Sequence, residues 1–417
     1  MNKLETVVLE NGLTIYLYKE PRRHSTFFQF NTYCGGLTKH FTYHGKEYHL
    51  PDGVAHILEH YLVECNDRGN FLDELGKKQM STNASTSPEI TNYYFETVEK
   101  VCEGIQIVLD GIYHVSFTKE KLEKLKNPIY QEIRGKQDNK FYHLNRHRMS
   151  TLFSSIDFQD VGGTIQEVES TTTKDLKTLY QAFYHPKNQF IVIAGNFDKK
   201  EVLETIKSFY KELVFDSYDT KLIPFQESID VHKKEESFTF PSPLPFTEVC
   251  FKISREGYTN TELLDLDFYI HTFFSSTFGV TSPLHKELVD DHTIIDSIRF
   301  SMLPMDSYYV LSFGAYTENP EKLQKKILEE IQNLNHLDVE KFEMDKKNSI
   351  VQMILRDENI FSTILPFINN IIYYDYPYLD QVEDVENLNY DQYSKMIHNL
   401  DFSHYSILTI YPQKKAD

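Results

Sequence analysis

The sequence predicts an α+β fold made of two homologous α/β domains. Three observations lead there. At 417 residues the chain exceeds what one hydrophobic core supports, so two domains or more are expected. β-rich runs and helical patterns alternate in both halves, in a similar order. Between the halves, residues 216–245 are rich in Asp, Lys, Pro and Ser without sustained periodicity, which reads as a linker. The expected division is residues 1–225 and residues 226–417. The duplication rests on element order alone, since no sequence repeat is visible.

The elements follow in order. Residues 4–18 read as a hairpin, because Asn11-Gly12 sits between two β-rich runs. Residues 25–33 are an aromatic strand. Gly35-Gly36 opens a polar stretch through Pro51 that reads as a loop and holds His40, His44 and His49. Lack of helical spacing makes these histidines solvated loop residues rather than ligands. A helix from about residue 54 follows, with Asp52 as the expected N-cap. Residues 70–79 are helical. Residues 81–98 read as a strand, a turn at Ser87-Pro88-Glu89, and a second strand rich in Tyr and Phe. Residues 99–115 form a helix with Val101, Ile105, Val108 and Leu109 on one face. Residues 118–148 are charged and helical, broken at Pro128. Helix 173–184, the apolar strand 190–195 and helix 198–213 complete the first half.

The second half repeats the alternation. It reads as strand 247–254, helices 261–275 and 283–290, strands 294–302 and 306–316, and helices 319–334, 338–357, 359–372 and 384–398. Strand 405–410 closes it.

Composition narrows the function classes. Hydrophobic content of 40% and charged content of 25% are those of a soluble globular protein. The net charge of −19 argues against nucleic acid as a partner, because a phosphate-binding surface needs clustered Lys and Arg. It favours cationic over anionic substrates. Met1-Asn2-Lys3-Leu4-Glu5 contains no apolar stretch, so no signal peptide is expected. No apolar run approaches the ~20 residues of a membrane span. Cys34, Cys65, Cys102 and Cys250 are scattered without a C-x-x-C, which suits a reducing compartment. A cytoplasmic chain is expected on these grounds.

The chemistry centres on His56-Ile57-Leu58-Glu59-His60. Residues three and four apart share one face of a helix, so His56, Glu59 and His60 form one polar cluster. Val54, Ile57, Leu58, Tyr61 and Leu62 cover the other side. Two imidazoles at this spacing can reach one tetrahedral Zn²⁺. The carboxylate between them is then placed to take a proton from a water that the metal activates. The order H-x-x-E-H is the inverzincin motif. On this motif alone, zinc binding and a helix with two satisfied histidines are both open. A second pair, His143 and His147, has the same spacing but no intervening carboxylate, and reads as non-catalytic.

Dispersed segments extend the motif. Gly53-Val54-Ala55 precedes His56. Asn83-Ala84-Ser85-Thr86 is followed by Thr91-Asn92-Tyr93-Tyr94-Phe95. Tyr130-Gln131-Glu132-Ile133, Phe183-Tyr184-His185-Pro186, Ile193-Ala194-Gly195-Asn196 and Thr281-Ser282-Pro283-Leu284 come later. Together they resemble the pitrilysin/insulinase family of zinc metallopeptidases, and most closely the metal-bearing subunits of bacterial two-subunit processing peptidases. The resemblance implies two α/β sandwich domains, each a mostly antiparallel sheet with helices packed on it, forming half of a clamshell. It implies Glu132 as the third zinc ligand. On its own residues Glu132 reads only as a surface carboxylate on a charged helix. It also implies that Ser81, Thr82, Asn83, Ala84 and Ser85 lie on an edge strand that pairs with an extended peptide; small, polar, β-compatible side chains suit that use.

Two departures stand out. The family's acidic residue seven positions before the third ligand falls on Leu125, with Glu123 out of register. Without it the zinc would be held less rigidly. The Arg and Tyr that active single-chain members carry in the second half fall on Val289 and Asp296. The implied activity is zinc-dependent endopeptidase action on short or unstructured peptides inside a closed chamber. His56, His60 and Glu132 would bind Zn²⁺, and Glu59 would act as base and then acid. A related subunit supplying the Arg and Tyr in trans is the expected partner, with a homodimer as the competing assembly. The rival function is a non-catalytic processing subunit that binds peptides for a partner peptidase.

Overall fold

The computed structural model describes residues 4–154, 161–224, 227–334 and 337–413. The chain forms two compact units. The first comprises Met1–Asp138, Gln159–Pro224 and Asn359–Ile364; the second comprises Asn139–Phe158, Phe225–Glu358 and Leu365–Asp417.

The chain opens with β1 (Leu4–Val8), β2 (Thr14–Lys19), β3 (Thr26–Thr32), β4 (His40–Tyr43) and β5 (Lys46–His49). Next come α1 (Val54–Glu64), α2 (Phe71–Lys77), β6 (Ser81–Thr86), β7 (Thr91–Thr97), α3 (Val101–Tyr113) and α4 (Lys119–Gln137). Helix α5 (Lys140–Leu152) belongs to the second unit. The first unit resumes with α6 (Ile165–Ser170), α7 (Thr173–Phe183), β8 (Gln189–Gly195), α8 (Lys199–Lys211) and β9 (Lys221–Leu222). Its main sheet has the order β1-β2-β8-β3-β7-β6. Only the β2–β8 pairing is parallel. Helices α1, α3, α4, α7 and α8 bury one face of it in a single core with Ile15, Leu17, Phe28, Phe30, Tyr93, Phe95, Ile191 and Ile193. Strand β3 is buried along its whole length. On its other face Phe27 packs against Phe361, with ring centroids 5.4 Å apart.

The second unit contains β10 (Glu235–Phe240), β11 (Phe246–Ser254), α9 (Asn260–Phe278), α10 (Pro283–Asp290), β12 (Arg299–Pro304) and β13 (Tyr308–Tyr316). It continues with α11 (Pro320–Asn333), α12 (Val339–Arg356), α13 (Ile360–Tyr374), α14 (Val382–Asn387), α15 (Tyr390–His398) and β14 (Tyr405–Pro412). Its sheet has the order β10-β14-β11-β13-β12, again with one parallel pair, β10–β14. This reproduces strand for strand the β2-β8-β3-β7-β6 portion of the first sheet. The expected α+β fold of two similar units is therefore present in the topology.

Several boundaries differ from expectation. The units depart from the division 1–225 and 226–417 in two segments. Helix α5 packs on β10, β11 and β14, and residues 359–364 join the first unit, where Phe361 also stacks on Tyr94. The expected loop before α1 is the hairpin β4–β5, which pairs with β9 in a small three-stranded sheet. The expected linker 216–245 holds β9 and β10. Strand β10 alternates Glu, Ser and Thr with Phe238 and Phe240, so its period-2 signal is diluted by charge. The charged helix 118–148 is two helices, separated where the Asn139 side chain caps α5. Pro128 does not end α4. It lies on the exposed side together with Lys124, so the carbonyl that loses its donor is reachable by water. Meanwhile Leu122, Leu125, Ile129 and Ile133 hold the helix to the core.

Candidate metal centre

Helix α1 is anchored by its core face. Ile57, Leu58, Tyr61 and Leu62 are fully buried, each contributing about 1.5–3 kcal/mol of burial. Tyr61 adds a tie to the next segment, its hydroxyl donating to the Ser116 carbonyl at 2.9 Å. The helix begins differently from expectation. Gly53, not Asp52, occupies the N-cap with φ 79°. A Cβ at Gly53 would lie 2.4 Å from the Gly162 carbonyl oxygen, so both the dihedral and the contact require glycine. Asp52 instead forms an ion pair with Lys39.

This anchoring turns His56, Glu59 and His60 toward a pocket of ≈ 550 Å³, which Glu132 enters from α4. The Nε2 atoms of His56 and His60 each lie 3.5 Å from Glu132 Oε2. Among the described residues these three side chains form the one group of His, Cys, Asp or Glu donors able to share an ion, with ligand atoms within 4.8 Å of one another. Donors bonded to tetrahedral zinc at about 2.0–2.1 Å stand roughly 3.4 Å apart. The two His–Glu132 separations of 3.5 Å fit that figure. Two neutral nitrogens and one carboxylate oxygen are also a known donor set for a catalytic zinc with an open fourth position.

Neighbouring charges suit a cation. The His60 imidazole, with His56 and Lys136 behind it, holds the Glu132 carboxyl well below the usual carboxylate range despite partial burial. Burial alone would lower the His60 pKa, but the carboxylates of Glu132, Glu64 and Glu59 override it and push it up to about 9. The site thus draws positive charge onto itself. Lys136 Nζ lies 2.8 Å from the other Glu132 oxygen, Oε1, one helical turn further on. His60 Nδ1 lies 3.0 Å from Glu64 Oε1, also one turn on.

Glu59 is buried beside the cluster. Burial raises its pKa, and the Thr86 hydroxyl, donating to Oε2 at 2.6 Å, acts against that rise. Thr86 ends β6, the edge strand of the first sheet. Asn83, Ala84 and Ser85 line the same pocket, whereas Ser81 and Thr82 lie farther along the strand. The Ala84 amide donates to the Asn83 side chain at 2.9 Å rather than to a neighbouring strand.

Other singled-out residues lie elsewhere. Leu125, 2% exposed, is core, and Glu123 pairs with Lys126. His40 pairs with Glu47 and His44 with Asp219. His147 bonds Glu236 and stacks on Phe238 in the second unit. Val289 sits at the end of α10, and Asp296 lies 3.9 Å from Arg299. Sequence reasoning did not foresee the Thr86 contact with Glu59, nor the parts of Glu64 and Lys136. The last two stand at i+4 from a ligand, a signal that was present. Thr86 reaches Glu59 only through packing of α1 on β6.

Residues 45–160 match the family described as Insulinase (Peptidase family M16), and residues 170–350 match the Peptidase M16 inactive domain. The chain is 26% identical over 347 residues to the uncharacterized zinc protease YmfH of Bacillus subtilis, covering 82% of this chain and 81% of that one. Its fold superposes on a putative M16-like peptidase from Alicyclobacillus acidocaldarius with a TM-score of 0.90, at 21% identity and 98% coverage of both chains. It also superposes on the periplasmic protease PqqL of Escherichia coli with a TM-score of 0.76 at 15% identity, covering 100% of this chain but 48% of that one.

Proposed function

The chain belongs to the insulinase (M16) peptidase family, and from that premise we propose that it is a zinc-dependent endopeptidase acting on short or unstructured peptides. One observation carries the reading: His56 Nε2, His60 Nε2 and Glu132 Oε2 converge at zinc-ligand spacing in a pocket that also holds Glu59 and the edge of β6. Zinc, when bound by these three residues, supplies Lewis acidity that acidifies water and polarises the scissile carbonyl. The protein's own groups do the rest. Burial raises the basicity of Glu59, which suits a carboxylate that must take a proton from water near neutral pH. The Thr86 hydrogen bond holds one carboxylate oxygen and leaves the other free for proton transfer. The protonated Glu59 then returns the proton to the leaving amine. The β6 edge offers main-chain pairing to an extended substrate, which favours unfolded peptides over particular sequences.

The same reading includes a partner. Val289 and Asp296 stand where the family carries its substrate-holding Arg and Tyr, and a second, related chain would supply them in trans and close the chamber. That this chain covers about half of PqqL, at 48%, supports a working assembly of two such halves.

The test of the chemistry is Glu59→Gln. It should keep zinc content at the parent level and abolish hydrolysis of an unstructured peptide, because it removes a base and not a ligand. His56→Ala, His60→Ala and Glu132→Ala should each lower zinc occupancy. Near-parental turnover in Glu59→Gln would overturn the mechanism. Unchanged zinc content in Glu132→Ala would mean that a different group is the third ligand.

A further inference from the structure

We propose that Glu64 is the positioning carboxylate of this metal site, fixing His60 so that its Nε2 faces the ion. The inference rests on the zinc-binding reading above. Glu64 is the last residue of α1, one turn beyond His60. Its Oε1 lies 3.0 Å from His60 Nδ1. An imidazole has two ring nitrogens, and a hydrogen bond at one decides which is left for a metal. With Nδ1–H donating to Glu64, Nε2 is the nitrogen left to bind an ion, and it lies on the side facing Glu132 Oε2, 3.5 Å away. The carboxylate also makes the ring a stronger donor. Apart from the ligand Glu132 itself, helix α4 offers no acid for this task, since Leu125 is packed among Leu122, Ile129 and Ile133 and Glu123 is engaged with Lys126.

Geometry explains why position 64 serves. His60 and Glu64 share one face of α1, so the side chains meet without any tertiary adjustment. The same helix that sets the His56–His60 spacing therefore also sets the brace. The arrangement is local, and it survives where the neighbouring helix offers only leucine.

The expected size follows from the setting. Removing such an outer partner of a metal-binding histidine typically costs about 10–100-fold in metal affinity. The Glu64 side chain is 35% exposed, so water can replace part of the bond and the lower end of that range applies. Zinc affinity of the full chain would be measured by chelator competition for the parent, Glu64→Ala and Glu64→Gln. Glu64→Ala should bind about tenfold more weakly, with thermal unfolding of the metal-free protein unchanged. Glu64→Gln keeps an acceptor without the charge and should recover part of the loss. Replacing zinc with Co²⁺ gives a second readout, an altered visible absorption envelope in Glu64→Ala. If Glu64→Ala fails to fold, Glu64→Gln carries the test, with a loss of a few-fold expected. Affinities of both variants within about twofold of the parent would overturn the inference. A parent that binds zinc without hydrolysing peptides would sink the proposed function and leave this inference standing; a parent that binds no zinc would sink both.

Discussion

At the residue scale, the Glu59–Thr86 contact ties the proposed base to the edge strand of the first sheet. His56, Glu59 and His60 share a helix face by spacing alone, and Glu64 and Lys136 extend the same logic by one turn. Thr86 has no such signature. It meets Glu59 because the edge strand runs beside α1, and its hydroxyl donates to Oε2 at 2.6 Å. Hydrogen bonds to charged groups are worth about 1.5–3 kcal/mol. Thr86→Val keeps the branched shape and removes the donor, so kcat on an unstructured peptide should fall roughly tenfold or more, by the same magnitude, with zinc content unchanged. Steady-state kinetics with parallel metal analysis reads both quantities. An unaltered kcat would reduce Thr86 to a packing residue. Glu132 shows the opposite limit. Its carboxylate differs in no visible way from the other acids of a charged helix, and its convergence on the histidines appears only once α4 packs beside α1.

At the element scale, legibility followed periodicity. Helix α1 declared itself through a clean apolar face, whereas β10 hid its alternation under glutamates and the β4–β5 hairpin hid under histidines and lysine. The split between α4 and α5 was set by a cap at Asn139, and a cap is one residue against thirty of helical pattern. The duplicated strand order is plain in the two sheets although no repeat is visible in the sequence, because topology constrains which faces are apolar and not which residues fill them. Strand β6 is where the proposed substrate path meets this scale. It pairs only with β7, so its outer edge is open among the described strands. The Ala84 amide is occupied by the Asn83 side chain, a bond that a peptide carbonyl can replace without leaving a buried donor unpaired. A bulky side chain at Ala84 would crowd that edge where it meets the pocket. Ala84→Phe should therefore raise KM several-fold while zinc affinity stays at the parent value. Unchanged kinetics in a folded Ala84→Phe protein would remove the edge from the substrate path.

At the scale of the whole molecule, the two units share a strand plan but not a chemistry. In the first, the helix between the third and edge strands carries the metal motif. Its counterpart α9 carries His271, whose ring packs edge-on against Phe300 at 5.3 Å, and contributes to no donor cluster among the described residues. Among the described residues the second unit thus brings together no comparable set of donors, and residues 170–350, which include much of it, match a domain described as inactive. On the resemblance, the family's Arg and Tyr are expected at positions that Val289 and Asp296 occupy here. Peptide hydrolysis needs the substrate fixed near attack geometry, and losing such positioning can cost orders of magnitude in rate. The purified chain alone should therefore be a slow enzyme on an unstructured peptide. Mixing it with a related chain that lacks H-x-x-E-H but carries the Arg and Tyr should raise the rate by about a hundredfold or more, on the same reasoning about positioning. Replacing that partner's Arg or Tyr should cancel the gain while leaving zinc bound to His56, His60 and Glu132. A homodimer that grips substrate with other residues would behave differently. Its activity would be high in isolation, would fall on dilution below the dimer's Kd, and would not respond to the related chain.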